Sequence, residues 1–213
     1  MAHALSPQGV LTLAFSGFPP ALDSERGLKA ALAALHGDAL PAENPGSRWP
    51  KSSLGCLVDG RRLTPAELEA LRAICTAHQL ALQTAPALDV RELRLVLFAC
   101  RSLERQLACQ RLPLAPPLDA TPPSAAAAAA ASATLAEFEP DKLRTYWADV
   151  ARDGSREQHY RDPARGATLV APLPPAAYAA QLTAFRAAVD AALPGAYAWF
   201  SDDSLHVTVR ALL

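Results

Sequence analysis

The segment LHVTVRAL, residues 205–212, predicts a strand that carries polar chemistry on one side. Side chains of a strand alternate between its two faces, so the apolar residues at 205, 207 and 209 share one face. The other face holds a histidine, a threonine and an arginine: His206, Thr208 and Arg210. One interpretation is the solvated side of a half-buried edge strand. The other is a site that binds an anion and moves a proton.

Length and charge bound the class of protein that this chain can be. Its 213 residues are enough for one sizeable domain or two smaller lobes with a substantial apolar core. The formal net charge is −1, which argues against non-specific binding of long DNA through bulk positive charge. A small phosphorylated ligand or an RNA terminus held in a local basic pocket is still compatible with this charge.

The four cysteines show neither C-x-x-C spacing nor paired histidine ligands: Cys56, Cys75, Cys100 and Cys109. We therefore expect reduced, buried thiols, no metal site and no cofactor. No run reaches the roughly 20 apolar residues of a membrane span, and the N-terminus lacks the pattern of a signal peptide. These features predict a soluble intracellular protein with no membrane partner, either cytoplasmic or in an organelle or the nucleus.

Turn and capping signals divide the first half of the chain into alternating strands and helices. The predicted elements are a strand over 10–15, a helix over 24–35, strands over 51–57 and 93–100, and either a strand or a short helix over 103–112. Between the second and third strands, the capping-box sequence Thr64-Pro65-Ala66-Glu67 opens a further helix.

The middle of the chain changes composition at Pro113. Residues 113–137 combine five prolines with an unbroken alanine run and predict a linker or surface insertion, with the alanines either irregular or helical. Residues 141–150 predict a helix. Residues 152–166 predict an arginine-rich loop, which is either solvated and balanced by its acidic residues or a binder of phosphate.

The second half repeats the strand–helix–strand order of residues 10–57, which indicates a duplicated lobe. Its predicted elements are a strand over 167–171, a helix over 176–193 and a strand over 204–212. A tryptophan precedes the closing strand of each repeat, Trp49 before the strand over 51–57 and Trp199 before the strand over 204–212. The sequence KSSL from Lys51 then aligns with HVTV from His206. Each has an ionisable residue, a spacer, a hydroxyl residue and an apolar residue.

The motif His206-x-Thr208 followed by an apolar residue resembles the signature of the two-histidine phosphoesterase superfamily, the LigT-like group. That group includes 2'-5' RNA ligases and cyclic nucleotide phosphodiesterases. The resemblance implies a bilobal α/β fold of the α+β kind, in which two pseudo-symmetric lobes place facing antiparallel sheets and outer helices around a central cleft. The lobes would be residues 1–112 and 138–213, joined by the linker over 113–137.

The resemblance also implies roles for four residues. In the family, one histidine accepts a proton from the attacking hydroxyl or water, the other donates a proton to the leaving oxygen, and two hydroxyl residues bind the phosphate. Carried over, His206 is the general acid or base, and Thr208 and Ser53 bind the phosphate. Lys51 stands where the family has a histidine. A lysine with a pKa of about 10.4 stays protonated and serves as an electrostatic partner or proton donor. It acts as a base only where burial or a cationic neighbour lowers that pKa by about three units.

Further residues are predicted at the mouth of the cleft. Tyr160, His159 and Arg161 are expected there as substrate-binding residues, and His159 is a candidate replacement for the missing histidine. Arg210 is a fourth substrate-binding candidate, beside His206. The predicted function is a metal-independent hydrolase of a cyclic phosphodiester, either a 2',3'-cyclic nucleotide or an RNA end. The alternative is a module on the same fold that binds a nucleotide, an RNA end or a protein without turnover.

Overall fold

The computed structural model shows a mixed α+β protein with antiparallel sheets, which confirms the predicted fold class. It describes residues 4–6, 9–37, 39–43, 49–83, 89–115, 121–136 and 156–213. The strands are β1 Ala4–Ser6, β2 Val10–Ala14, β3 Lys51–Leu57, β4 Glu92–Phe98, β5 Gln106–Pro113, β6 Gly166–Pro172, β7 Tyr197–Trp199 and β8 His206–Ala211. The helices are α1 Leu28–His36, α2 Pro65–Gln83, α3 Ala125–Ala136, α4 Glu157–Arg161 and α5 Pro175–Ala192.

In the described part of the chain, the strands form two four-stranded sheets. One sheet has the order β1-β2-β3-β7 and the other has the order β5-β4-β6-β8. β7 pairs with β3 although it follows α5 in sequence, so a strand from the second half of the chain completes the first sheet. The segment over 103–112, predicted as either a strand or a short helix, supplies most of the strand β5, which ends at Pro113.

β3 and β8 each carry a β-bulge at the same place relative to their polar residues. Consecutive residues of β2 pair with the residues on either side of Leu54, so Leu54 is left out of the pairing. In the same way, consecutive residues of β6 pair with the residues on either side of Val209. Leu54 and Val209 are the positions that align when the two halves are compared. The shared bulge therefore supports the repeat predicted from the sequence.

The bulge at Val209 turns Arg210 away from the face that carries Thr208. A bulge inserts one extra residue, and the alternation of side chains changes after it. Ala211 therefore shares the face of Thr208, and the prediction that Arg210 does so is wrong. Arg210 is instead buried, and its Nη2 donates a hydrogen bond to the carbonyl oxygen of Pro41 at 2.7 Å.

One cluster of buried apolar side chains runs through both sheets and the helices that cover them. Leu11 and Leu54 enter it from β2 and β3, and Val209 enters it from β8. Leu71 of α2 and Phe185 of α5 cover the cluster from outside the sheets. This core is continuous across the two halves of the chain, so it does not separate them into two lobes. The division into two lobes with a linker between them therefore stays a prediction.

The starts of the first two helices show how well local signals locate a helix. α2 begins with the predicted capping box, in which Thr64 Oγ1 accepts from the Glu67 N–H at 3.3 Å. In return, the Thr64 N–H donates to Glu67 Oε2 at 2.7 Å. α1 begins at Leu28, later than predicted, because residues 20–27 form turns and bends instead of the first helical turn.

The middle of the chain contains more structure than its composition predicts. The alanine run lies in α3, and Pro123 and Ala127 approach Gly17 so closely that a Cβ at Gly17 would contact both. α3 therefore packs on the loop after β2. Residues 157–161 of the predicted loop form the short helix α4. The helix predicted over 141–150 lies outside the described residues.

The composition led to expectations about the cysteines and about membrane-spanning segments. All four cysteines are free, and three of them are buried as predicted. The prediction is wrong for Cys109, because β5 is the outer strand of its sheet and all its side chains are exposed. In the ranges that the structure describes, no helix is long and apolar enough to cross a lipid bilayer.

Gly55 allows β7 to lie close against β3. It pairs with Trp199, and a Cβ at this position would come within 2.8 Å of the Ala198 carbonyl oxygen and of the Trp199 ring. Gly55→Ala is expected to lower the free energy of unfolding by about 1–3 kcal/mol, because the neighbouring strand must move to make room. Urea denaturation followed by tryptophan fluorescence measures this change.

Ser52→Ala is the matched control in the same strand. The Ser52 hydroxyl is fully buried and has no hydrogen-bond partner among the described residues. Its removal is expected to leave the free energy of unfolding unchanged or slightly higher. Equal stability of the wild type and Gly55→Ala would contradict the close approach of β7 to β3.

Candidate active site

A cavity of about 280 Å³ lies where the two sheets meet. β3 contributes Lys51 and Ser53 to its wall, and β8 contributes His206 and Thr208. β3 and β8 also contact each other directly. The structure therefore brings the four residues with predicted catalytic roles together in one cavity.

The pairing of the strands explains why these side chains share the cavity. Lys51 and Ser53 are two residues apart and precede the bulge of β3, so both point to the same side of that strand. His206 and Thr208 have the same relation to the bulge of β8. In each strand the bulge follows the hydroxyl residue directly, so the alternation that aligns the two polar side chains is intact up to that point.

His206 is half-buried, and its backbone contact fixes which ring nitrogen is left for a ligand. Nδ1 lies 2.7 Å from the carbonyl oxygen of Ser204. Because a carbonyl oxygen only accepts, Nδ1 carries the proton, and Nε2 of the neutral ring keeps a lone pair. Burial lowers the pKa of His206, and the hydrogen bond to Ser204 opposes this shift in part. The neutral ring, able to accept a proton at Nε2, is therefore the main form at about pH 7.

Lys51 is half-buried beside an aromatic ring. Its Nζ lies 4.4 Å from the centroid of the Trp49 ring, in a cation–π contact. Burial lowers the pKa of Lys51 to about 8, because the ammonium group loses part of its hydration. A shift of this size makes proton donation easier and still leaves Lys51 mostly protonated at neutral pH.

Tyr160 reaches the cavity wall from α4. Its ring centroid lies 5.1 Å from that of Phe200. Burial raises the pKa of Tyr160, and the Ser53 side chain acts in the opposite direction. The Tyr160 hydroxyl therefore stays protonated at neutral pH.

Three residues predicted to bind substrate do not line the cavity. His159 is exposed and packs edge-on against Tyr160, with 5.2 Å between the ring centroids. Arg161 forms an ion pair with Glu104 at 2.9 Å. Arg210 is buried on the other side of its sheet. The structure therefore does not place His159 where a second catalytic imidazole would lie.

Contacts at both ends of α4 fix the position of Tyr160. Asp59, in the turn after β3, accepts hydrogen bonds from the backbone N–H groups of Glu157 and Gln158. A carboxylate is well suited to this end of a helix, where N–H groups lack helical partners. At the other end, the Ser102 N–H donates to the Tyr160 carbonyl oxygen at 3.0 Å. α4 thus connects a turn of the first sheet with a turn of the second.

Sequence reasoning missed several residues of the cavity wall. They are aromatic, cationic or hydroxyl side chains from separate elements: Trp49, Phe98, Arg101, Ser102, Thr168 and Phe200. Trp49 lies two residues before Lys51, the first residue of β3, and this closeness in sequence was the signal available for it. Arg101 and Ser102 lie in the turn between β4 and β5, and no local pattern connects that turn with β8.

The chemistry of the cavity wall is that of an anion site. Within the described residues, none of the lining side chains is acidic, while cationic, imidazole and hydroxyl groups all line the cavity. The same residues contain no cluster of three histidine, cysteine, aspartate or glutamate side chains arranged to hold a metal ion. No family model, no curated protein and no solved structure matches this chain.

Proposed function

We propose that this chain hydrolyses a cyclic phosphodiester, with a nucleoside 2',3'-cyclic phosphate or an RNA end as the substrate. The observation that supports it most is the arrangement of Lys51, Ser53, His206 and Thr208 around one cavity. A proton acceptor, a cation with an exchangeable proton and two hydroxyl groups thus line the same space. Hydrolysis of a phosphodiester uses each of these groups, for proton transfer and for stabilising charge on the phosphate.

His206 acts as the general base in this proposal. Nε2 accepts a proton from a water molecule while the water oxygen forms its bond to phosphorus. The hydrogen bond from Nδ1 to Ser204 holds the ring in the required tautomer and orientation. It also stabilises the imidazolium that forms, since the carbonyl oxygen carries partial negative charge.

Lys51 acts as the general acid. As the bond between phosphorus and the leaving ribose oxygen breaks, Nζ donates a proton to that oxygen. A pKa of about 8 suits this task, because an acid is most effective when its pKa lies near the working pH. After each turnover Lys51 regains a proton and His206 releases one, so the net reaction consumes one water and forms a phosphomonoester.

Ser53 and Thr208 donate hydrogen bonds to the phosphate oxygens that do not take part in bond breaking. Negative charge on these oxygens grows as water attacks, so donors fixed in advance stabilise the transition state more than the substrate. Tyr160 lines the same cavity.

The rate of hydrolysis is expected to have a bell-shaped dependence on pH. It rises as His206 loses its proton, at a pKa that burial places below the ordinary value of 6.5. It falls as Lys51 loses its proton, at a pKa of about 8. The maximum is therefore expected between these two values. Measuring kcat/KM of the wild type for a nucleoside 2',3'-cyclic phosphate, from about pH 5 to about pH 10, tests this.

Two outcomes of that measurement would count against the proposal. A profile that keeps rising above about pH 9 would show that no group with the pKa of Lys51 donates the proton. Binding of the substrate without turnover at any pH would favour the non-catalytic binding module instead.

A further inference from the structure

Arg101 brings a second cation to the cavity. It lies in the turn between β4 and β5, lines the cavity and has an exposed side chain. Its Nη1 donates to the carbonyl oxygen of His159 at 3.2 Å. Among the described residues no carboxylate forms an ion pair with Arg101, whereas Arg161 has two such partners and Arg186 has one. Arg101 therefore keeps charge and hydrogen-bond donors for a ligand.

The turn that carries Arg101 lies at the end of the cavity away from His206 and Thr208. Thr208 pairs with Val170 of β6, and Phe98, the last residue of β4, pairs with Gly166 of β6. These two rows are four residues apart along β6, which is about 13 Å at the rise of a strand. Arg101 follows Phe98 in the chain, beyond the second row. We therefore expect a phosphate bound beside Thr208 to leave the charge of Arg101 uncompensated.

The cavity wall between Thr208 and Arg101 is compatible with an elongated anionic ligand. Thr168 lies between the two rows and lines the cavity, as do the rings of Phe98 and Phe200. In the described part of the chain, no acidic side chain lines the cavity that would neutralise Arg101 or repel a second anion. A ligand with one phosphate compensates the positive charge at only one end of such a cavity.

We propose that Arg101 binds a second anionic group of the substrate, a phosphate on the 5' side of the ribose whose 2',3'-cyclic phosphate reacts. The inference rests on the proposed function and narrows its substrate class. Because the reacting phosphate occupies the 2' and 3' positions, a further phosphate is attached at the 5' position. A guanidinium fork binds phosphate oxygens with two parallel hydrogen bonds. A 5'-phosphate of a mononucleotide and the internucleotide phosphate of an RNA end share this chemistry.

The test compares the dissociation constants of three ligands, measured by calorimetry on hydrolysis-resistant phosphorothioate forms. They are a nucleoside 2',3'-cyclic phosphate, the same compound with a 5'-phosphate, and a dinucleotide that ends in the same cyclic phosphate. The wild type is expected to bind at least one of the two ligands with a second phosphate about tenfold more tightly than the first. Tight binding of the dinucleotide alone identifies an RNA end, and tight binding of the 5'-phosphorylated ligand identifies a mononucleotide.

Arg101→Gln is expected to abolish that tenfold preference and to leave binding of the nucleoside cyclic phosphate within about twofold of wild type. Arg101→Lys keeps the charge without the fork and is expected to retain part of the preference. Arg62→Gln is the matched control, because it removes the same charge from an exposed position that does not line the cavity. It is expected to bind all three ligands as the wild type does.

Four results would overturn the inference. Equal loss of affinity for all three ligands in Arg101→Gln would show that Arg101 binds the reacting phosphate. A preference that persists in Arg101→Gln, or no preference in the wild type, would show that Arg101 binds no second phosphate. If the wild type binds none of the three ligands, the proposed function fails together with this inference. The comparison within the wild type needs no variant, so it stands even where a substitution disturbs folding.

Discussion

Replacing His206 with glutamine is expected to lower kcat for a nucleoside 2',3'-cyclic phosphate by about 10²–10⁴-fold. Glutamine is similar in size and can donate a hydrogen bond to the Ser204 carbonyl oxygen, which Nδ1 contacts at 2.7 Å in the wild type. It has no nitrogen that accepts a proton from water. The fold is therefore expected to persist while the proton transfer is lost. Phosphorus NMR of the reaction and a thermal melting curve separate these two effects.

His36→Gln is the control for this substitution. His36 is an exposed histidine in the last turn of α1 and does not line the cavity. Its replacement is expected to change kcat by less than about twofold, as is usual for a surface position. Turnover by His206→Gln at the wild-type rate would remove His206 from the mechanism. A large fall in both kcat and melting temperature would assign it to the stability of the fold instead.

Lys51→Arg and Lys51→Met are expected to differ in a way that separates charge from proton donation. Lys51→Arg keeps a positive charge, but a guanidinium with a pKa above about 12 is a poor proton donor. It is expected to bind the substrate and to lose about 10²–10⁴-fold in kcat. Lys51→Met is expected to lose that turnover and also affinity, since it carries no charge. Steady-state kcat and KM of both variants test this.

The pH profile of Lys51→Arg gives an independent check. In the wild type, activity is expected to fall as pH rises through the pKa of Lys51, about 8. The residual activity of Lys51→Arg is expected to show no such fall, because the titrating amine is gone. Wild-type turnover by Lys51→Arg would show that Lys51 contributes its charge alone and that the leaving oxygen takes its proton from water.

Four of the residues that share the cavity were predictable because the signals for them are local. Alternation along a strand identifies which side chains share a face, and the repeat links Lys51 and Ser53 with His206 and Thr208. Two strand faces that carry matching polar residues are expected to line one shared site. The structure brings all four side chains to one cavity.

The errors arose where partners distant in sequence decide the structure. The bulge that turns Arg210 away is created by pairing with β6, and the sequence around Val209 alone gives no sign of it. The loop over 152–166 was interpreted from its arginines, but Arg161 is bound by Glu157 within α4 and by Glu104 from another turn. The spacing of Glu157 and Arg161 is that of a helical ion pair, which was the signal available for α4.

The matched bulges limit which insertions and deletions β3 and β8 can accept during evolution. Replacing Lys51 with an ionisable residue of another type leaves the spacing between this position and the bulge unchanged. The loss or gain of a single residue matters more if it falls between the ionisable position and the bulge. In either β3 or β8, it would turn one of that strand's two polar side chains out of the cavity. Distant relatives are therefore better recognised by ungapped spacing, an ionisable residue two places before a hydroxyl in both halves, than by shared letters.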